Sequence, residues 1–235
     1  MNQDFQICTV VQGEDLTSFV QNLEKAQKSA TMVELRADSI RGFSADDLPI
    51  LKGVVKVPSI FTLRHKKEGG LFTGTPAKQK QILQEAFSSG FTYVDIAYRN
   101  PILKELSPKH KKHLLLSYHE YQETPDLEDL LDTLDEMRAI KPAIIKIATF
   151  VDDHEDVLVL GILLKQKEDD EKMIVIGMGK KGEITRFTFP TLGSYITYVT
   201  MKGEKNIAPG MLTEADLLKK VESHLKHPSR YSDKL

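Results

Sequence analysis

The chain has one cysteine, Cys8, among 235 residues. A single thiol forms no intrachain disulfide, supplies no cysteine-rich metal site and fits a reducing compartment. No apolar run approaches the roughly 18–20 residues that a membrane span needs. The opening residues Met1-Asn2-Gln3-Asp4 lack a basic stretch followed by an apolar one, so no signal peptide is expected. Neither charge dominates. The 32 basic and 34 acidic residues leave −2, which argues against a nucleic-acid binder and against an acidic tail. No G-x-G-x-x-G follows the first apolar segment and no G-x-x-x-x-G-K-[ST] occurs, which removes the usual support for a dinucleotide or P-loop fold. No His-Glu-x-x-His spacing occurs either. These absences lead us to expect a cytoplasmic protein with no membrane partner, no nucleic acid and no metal.

What is present is a rhythm. The apolar fraction of 40% is enough for a sizeable core. Short apolar runs rich in Val, Ile, Phe, Tyr and Thr alternate with amphipathic stretches. The runs predict strands near residues 5–11, 31–37, 58–64, 92–97, 113–119, 142–148, 172–178 and 194–200. Continuous apolar runs suit parallel strands buried on both faces. Their starts lie 21 to 34 residues apart, room for one strand, one helix and two short loops. Leu16, Phe19, Val20 and Leu23 repeat with helical spacing, as do Leu127, Leu130, Leu131 and Leu134, and Leu217, Leu218, Val221 and Leu225. Thr213 ahead of Asp216 resembles a capping box. Segment 153–167 is nearly all apolar at its centre; its length favours helix over strand. Eight strands interleaved with helices predict a single (β/α)8 barrel domain spanning 1–235, with a doubly wound sheet as the alternative.

Polar residues interrupt these strands at regular places. Glu34 and Arg36 are two apart and so share a face. Arg64, Asp95, His119 and Lys146 fall in the next four strands. Six titratable groups are thereby expected in or at the C-terminal halves of five successive strands, whose ends form the catalytic face of such a barrel. Lys146 lies inside Ile144-Ile145-Lys146-Ile147. If it points inward, desolvation lowers its pKa and makes it a nucleophilic amine suited to imine formation. The alternatives are a lysine reaching solvent from a strand end, or one paired with Glu34 or Asp95. His119 can carry protons near neutral pH, while His110, His113, His154, His224 and His227 are expected on solvated surfaces. His65, beside Arg64, is expected to face the other way. The glycine-bearing segments after strands three, seven and eight read as phosphate-binding turns or a mobile lid. Arg186 could hold an anionic group; its plainer reading is a surface ion pair.

The motifs Glu34-Leu35-Arg36-Ala37-Asp38, Phe61-Thr62-Leu63-Arg64 with Glu68-Gly69-Gly70, Ser117-Tyr118-His119 with Thr124-Pro125, Ile145-Lys146-Ile147-Ala148, Met178 with Gly182 and Thr185-Arg186, and Ala208-Pro209-Gly210 stand in one order along the chain. Together they resemble type I 3-dehydroquinate dehydratase, from about residue 5 to 225. The spacing from His119 to Lys146 is 146 − 119 = 27 residues. The resemblance implies a cofactor-free lyase of the shikimate pathway, acting on 3-dehydroquinate to give 3-dehydroshikimate. It implies that Lys146 forms an imine with the ring ketone and His119 moves protons. Glu68 would orient His119 and Arg186 would clamp the substrate carboxylate. Glu34, Arg36, Arg64 and Asp95 would serve the ring hydroxyls and the charge network, and Met178 would pack on the ring. A homodimer is the expected assembly.

Three positions depart from the family pattern. Ala97 stands where Glu is usual, Ile207 where Ser is usual, and Met211 where Gln is usual. Ile207 and Met211 cannot replace the hydrogen bonds of Ser and Gln to bound substrate, a loss of about 1–3 kcal/mol for a buried hydroxyl. Weaker substrate binding or a differently packed lid is therefore expected. Two competing readings are a class I aldolase using Lys146 on a sugar, and a non-catalytic barrel descended from the dehydratase.

Overall fold

A computed structural model describes residues 5–201 and 210–226. Strands and helices alternate throughout. The order is β1 (Gln6–Val11), α1 (Leu16–Ala26), β2 (Met32–Arg36), α2 (Leu48–Val54), β3 (Ser59–Thr62), α3 (Pro76–Ser88), β4 (Tyr93–Ala97), α4 (Pro108–Lys111) and β5 (Leu114–Glu120). Then follow α5 (Leu127–Ile140), β6 (Ile144–Phe150), α6 (His154–Lys165), β7 (Met173–Met178), α7 (Gly179–Gly182), α8 (Thr185–Thr188), β8 (Ile196–Thr200), β9 (Leu212–Thr213) and α9 (Glu214–Lys226). All eight expected strands are present within a few residues of their sequence bounds. A ninth, β9, adds two residues that pair parallel with β8.

The chain divides into two compact units. The N-terminal unit is Cys8–Leu116 with Ile140–Ala143; the C-terminal unit is Met1–Ile7, Ser117–Ala139 and Ile144–Leu235. In the N-terminal unit β1, β2, β3 and β4 pair parallel in sequence order. Their burial is near-continuous, as strands covered on both faces require. Phe61 stacks on Phe91 at 5.1 Å and meets Phe43 at 6.0 Å, filling that unit's core. In the C-terminal unit β6 and β7 pair parallel over six residues, from Ile145↔Met173 to Phe150↔Met178. The Tyr195 N–H donates to Met173 O at 2.8 Å and its carbonyl accepts from Gln6 N at 2.8 Å, fixing the entry to β8.

Local chemistry explains the helix bounds. Asp15 and Ser18 cap α1 reciprocally, and Phe19, Leu23 and Ala26 form its buried stripe. The ambiguous apolar segment is helix α6. Asp153 and Asp156 form its capping box, Val157, Leu160, Leu163 and Leu164 face inward, and Leu158 and Ile162 remain exposed. Thr213 Oγ1 accepts from Asp216 N at 3.3 Å and donates to Asp216 Oδ2 at 2.8 Å, so the N-cap expected for α9 is present.

The strand positions of the polar residues need correction. Glu34 and Asp95 are the third of five residues in β2 and β4, and Lys146 is the third of seven in β6. None of these three lies in a C-terminal half. The reason for Lys146 is that β6 runs on through Ala148-Thr149-Phe150, whose partners are Ile176, Gly177 and Met178. The Thr149 hydroxyl and the Phe150 carbonyl are both hydrogen-bonded by Thr124, which holds that extension. Arg64 lies two residues beyond β3.

Candidate active site

In the N-terminal unit the polar residues form one network. Arg36 grips Asp38 with two parallel bonds, Nε to Oδ1 at 2.9 Å and Nη2 to Oδ2 at 2.8 Å. Burial disfavours the Arg36 charge, but the Asp38 hydrogen bond and the negative charges of Asp38, Glu34 and Asp95 outweigh it and raise its pKa. Glu34 Oε1 accepts from the Thr62 hydroxyl at 2.9 Å. Arg64 pairs with Asp95 at 2.7 Å, and both side chains are more than nine-tenths buried. Removing one partner of such a pair leaves a buried uncompensated charge and costs about 3–5 kcal/mol.

Arg64 lies just ahead of a turn and is nonetheless held firmly. Its carbonyl accepts from Phe72 N at 3.1 Å, and a Cβ on Gly70 would lie 2.1 Å from that same oxygen. Only glycine permits the chain to pass so close. Glu68 ends the same turn. Its carboxylate accepts from Gln79 Nε2 at 2.9 Å, Asn100 Nδ2 at 2.8 Å and His65 N at 3.0 Å. His65 is engaged locally: its Nδ1 accepts from Lys67 N and its Nε2 meets Gly74 O, each at 3.0 Å. A cleft of about 320 Å³, lined by Glu68, Gln79, Asn100, Lys67 and Lys80 among others, opens beside these residues.

In the C-terminal unit Lys146 is 7% exposed. That removes the reading of a lysine reaching solvent from a strand end. Its Nζ stands 4.2 Å from the centroid of the Tyr198 ring. Met178 is half-buried; it is the register partner of Phe150, four residues beyond Lys146, and shares the Lys146 face by strand parity. His119 is the sixth of seven residues in β5, half-buried, with its ring stacked on Tyr121 at 5.8 Å.

Arg186 is 4% exposed and forms no ion pair among the described residues, so it is not the surface pair of the plainer reading. Its Nε is buried with no hydrogen-bond partner among them. Burial lowers its pKa to about 10, partly opposed by the charge of Glu183, so it stays cationic at neutral pH. A buried guanidinium without a carboxylate is an arrangement that favours an incoming anion.

The backbone under Arg186 explains the glycines after β7. Thr185 Oγ1 accepts from Gly177 N at 2.9 Å and donates to Gly182 O at 2.8 Å. A Cβ on Gly182 would lie 2.4 Å from the Gly177 carbonyl carbon. These glycines serve a close backbone contact that seats α8. Of the strand-eight motif, Ile207, Ala208 and Pro209 lie outside the described residues. Met211 is 7% exposed, so its side chain is packed away.

Two of the five histidines expected on solvated surfaces are half-buried, His110 against Phe87 and His224 against Phe187. His227 lies outside the described residues. The sequence reasoning also passed over Gln79 and Asn100, which hold Glu68, and Tyr198, which faces Lys146. Asp38 stood in a motif but was given no role. Its offset of two from Arg36 was the available signal, a chelating carboxylate on the residue after next.

No helix among the described residues is long and apolar enough to cross a membrane. A sequence model of the type I 3-dehydroquinase family matches residues 7–225. A 3-dehydroquinate dehydratase of Coxiella burnetii is 38% identical over 208 residues, covering 88% of each chain. One of Methanocaldococcus jannaschii is 32% identical over 220 residues, covering 92% of this chain and 96% of the relative. The crystal structure of the Geobacillus kaustophilus 3-dehydroquinate dehydratase superposes with a TM-score of 0.83 at 26% identity, covering 94% of this chain and 91% of that one. The alternation of strands and helices, the parallel registers and these likenesses agree on the (β/α)8 class, and the chain belongs to the type I 3-dehydroquinase family of hydro-lyases.

Proposed function

We propose that this protein dehydrates 3-dehydroquinate to 3-dehydroshikimate through an imine on Lys146. The observation that carries the reading is the burial of Lys146 in the middle of β6, with its amine against an uncharged aromatic face. The neutral amine attacks the ring ketone to give a carbinolamine. His119 donates a proton as water leaves, forming the iminium. That cation draws electrons from the neighbouring C–H bond, and His119 takes the proton to leave an enamine. The enamine expels the β-hydroxyl, which departs as water with a proton from His119. Water then hydrolyses the product iminium and restores the Lys146 amine, so the net change is loss of one water.

Arg186 binds the substrate carboxylate, supported by its burial without an ion pair. Met178 packs on the ring, and Met211, packed away where a Gln is usual, gives the substrate no side-chain hydrogen bond. Glu34, Arg36, Arg64 and Asp95 supply acceptors and donors matched to ring hydroxyls. Glu68 orients His119, the role the family pattern implies for it, and is itself held by Gln79, Asn100 and the His65 N–H. The shikimate pathway, the cytoplasm and a homodimer complete the reading.

The test is chemical trapping. Incubation with 3-dehydroquinate and borohydride is expected to leave a mass adduct on the peptide containing Lys146. Turnover, followed by the ultraviolet absorbance of the conjugated enone, is expected to vanish in Lys146→Ala. Unchanged turnover in Lys146→Ala would overturn the mechanism. Triose release without enone would favour the aldolase.

A further inference from the structure

We propose that Tyr198, on β8, is a further catalytic residue, its ring face supporting the positive charge that Lys146 carries as an iminium. The inference rests on the imine reading of Lys146. Strand parity sets the geometry. Thr197 donates its hydroxyl to Arg186 O at 2.8 Å, so its side chain points toward α8. Tyr198, the next residue, points the opposite way. There the Lys146 Nζ lies 4.2 Å from its ring centroid, well inside the range of a cation–π contact.

The chemistry asks two opposed things of this environment. The attack needs a neutral amine, which burial favours. The proton abstraction that follows needs a cation on the same nitrogen, which burial penalises. An aromatic face attracts the cation through its quadrupole and carries no net charge. Such a face is matched to a group that must be neutral in one step and cationic in the next. Tyr198 is 4% exposed, so water does not screen the contact.

The test is electronic and leaves the shape of the side chain nearly constant. Tyr198→Phe keeps the ring face and is expected to keep kcat within about threefold. A series of increasingly fluorinated phenylalanines at position 198 drains the ring face of negative charge. Across it kcat is expected to fall stepwise, reaching roughly 10- to 30-fold at full fluorination. The borohydride-trapped adduct per turnover is expected to fall in the same order. A series with flat kcat and flat adduct yield overturns the role of Tyr198. Failure of the protein with native Tyr198 to form any adduct overturns the imine reading itself, a separate result. Tyr198→Leu adds a check without an aromatic ring, with circular dichroism establishing that it folds.

Discussion

Thr197 and Thr200 lie three apart on β8, on opposite faces, and have opposite energetic roles. The Thr197 hydroxyl is buried and donates to Arg186 O. The Thr200 hydroxyl is buried with no hydrogen-bond partner among the described residues. An unmade bond costs more than a made one returns. Thr200→Val keeps the shape and removes the orphaned hydroxyl, so it is expected to raise stability by about 1 kcal/mol. Thr197→Val is expected to lower it by about 1 kcal/mol. Denaturant midpoints of the two variants check the sign of each. The same contrast shows what single residues disclose. A charge inside an apolar run, as at Lys146 or Asp95, is visible in the sequence because such a charge must be accounted for. Tyr198 and Thr200 are ordinary strand residues by composition, and only their neighbours in space give them a role. Gln79 is equally unremarkable on helix α3, until its amide is found bridging Leu63 O and Glu68.

At the scale of elements, the strand positions were legible and the meaning of the turns was not. Period and β-branched content locate a buried strand, because both faces must be apolar. The extension of β6 to Phe150 was missed, because Thr124, which anchors it, lies 25 residues away from Thr149. The glycines at 177 and 182 were visible as a pattern, but their purpose depends on Thr185 bridging them. That assembly seats α8 and so sets where Arg186 stands. Gly182→Ala places a methyl group 2.4 Å from the Gly177 carbonyl carbon, and backbone cannot yield as a flexible side chain would. Such overpacking is expected to cost about 1–3 kcal/mol. The displacement should reach Arg186, so KM for 3-dehydroquinate is expected to rise by about tenfold, with kcat changed less. Steady-state kinetics alongside thermal unfolding separate the two effects. A variant with the lost stability and an unaltered KM would show that α7 supports the fold without placing Arg186.

At the scale of the molecule, the boundaries between the two compact units carry information. They fall between Ile7 and Cys8, inside β1, between Leu116 and Ser117, inside β5, between Ala139 and Ile140, at the end of α5, and between Ala143 and Ile144, at the start of β6. Domain boundaries ordinarily fall in exposed, Pro- or Gly-rich linkers. A boundary that cuts a continuous strand twice is no linker, and a strand segment cannot melt without disturbing the residues that continue it. We therefore expect one cooperative unfolding transition, as the single-domain reading of 1–235 requires. The lone thiol makes this measurable. Cys8 is fully buried in β1, so pulsed thiol labelling along a denaturant series reports when that strand opens. Hydrogen exchange of peptides from β6 and β7 reports the other unit over the same series. Far-UV circular dichroism reports both. Coincident midpoints and slopes from all three probes are expected. A Cys8 midpoint separated from that of β6 and β7 would mean that the units unfold independently, and the chain would then be two domains.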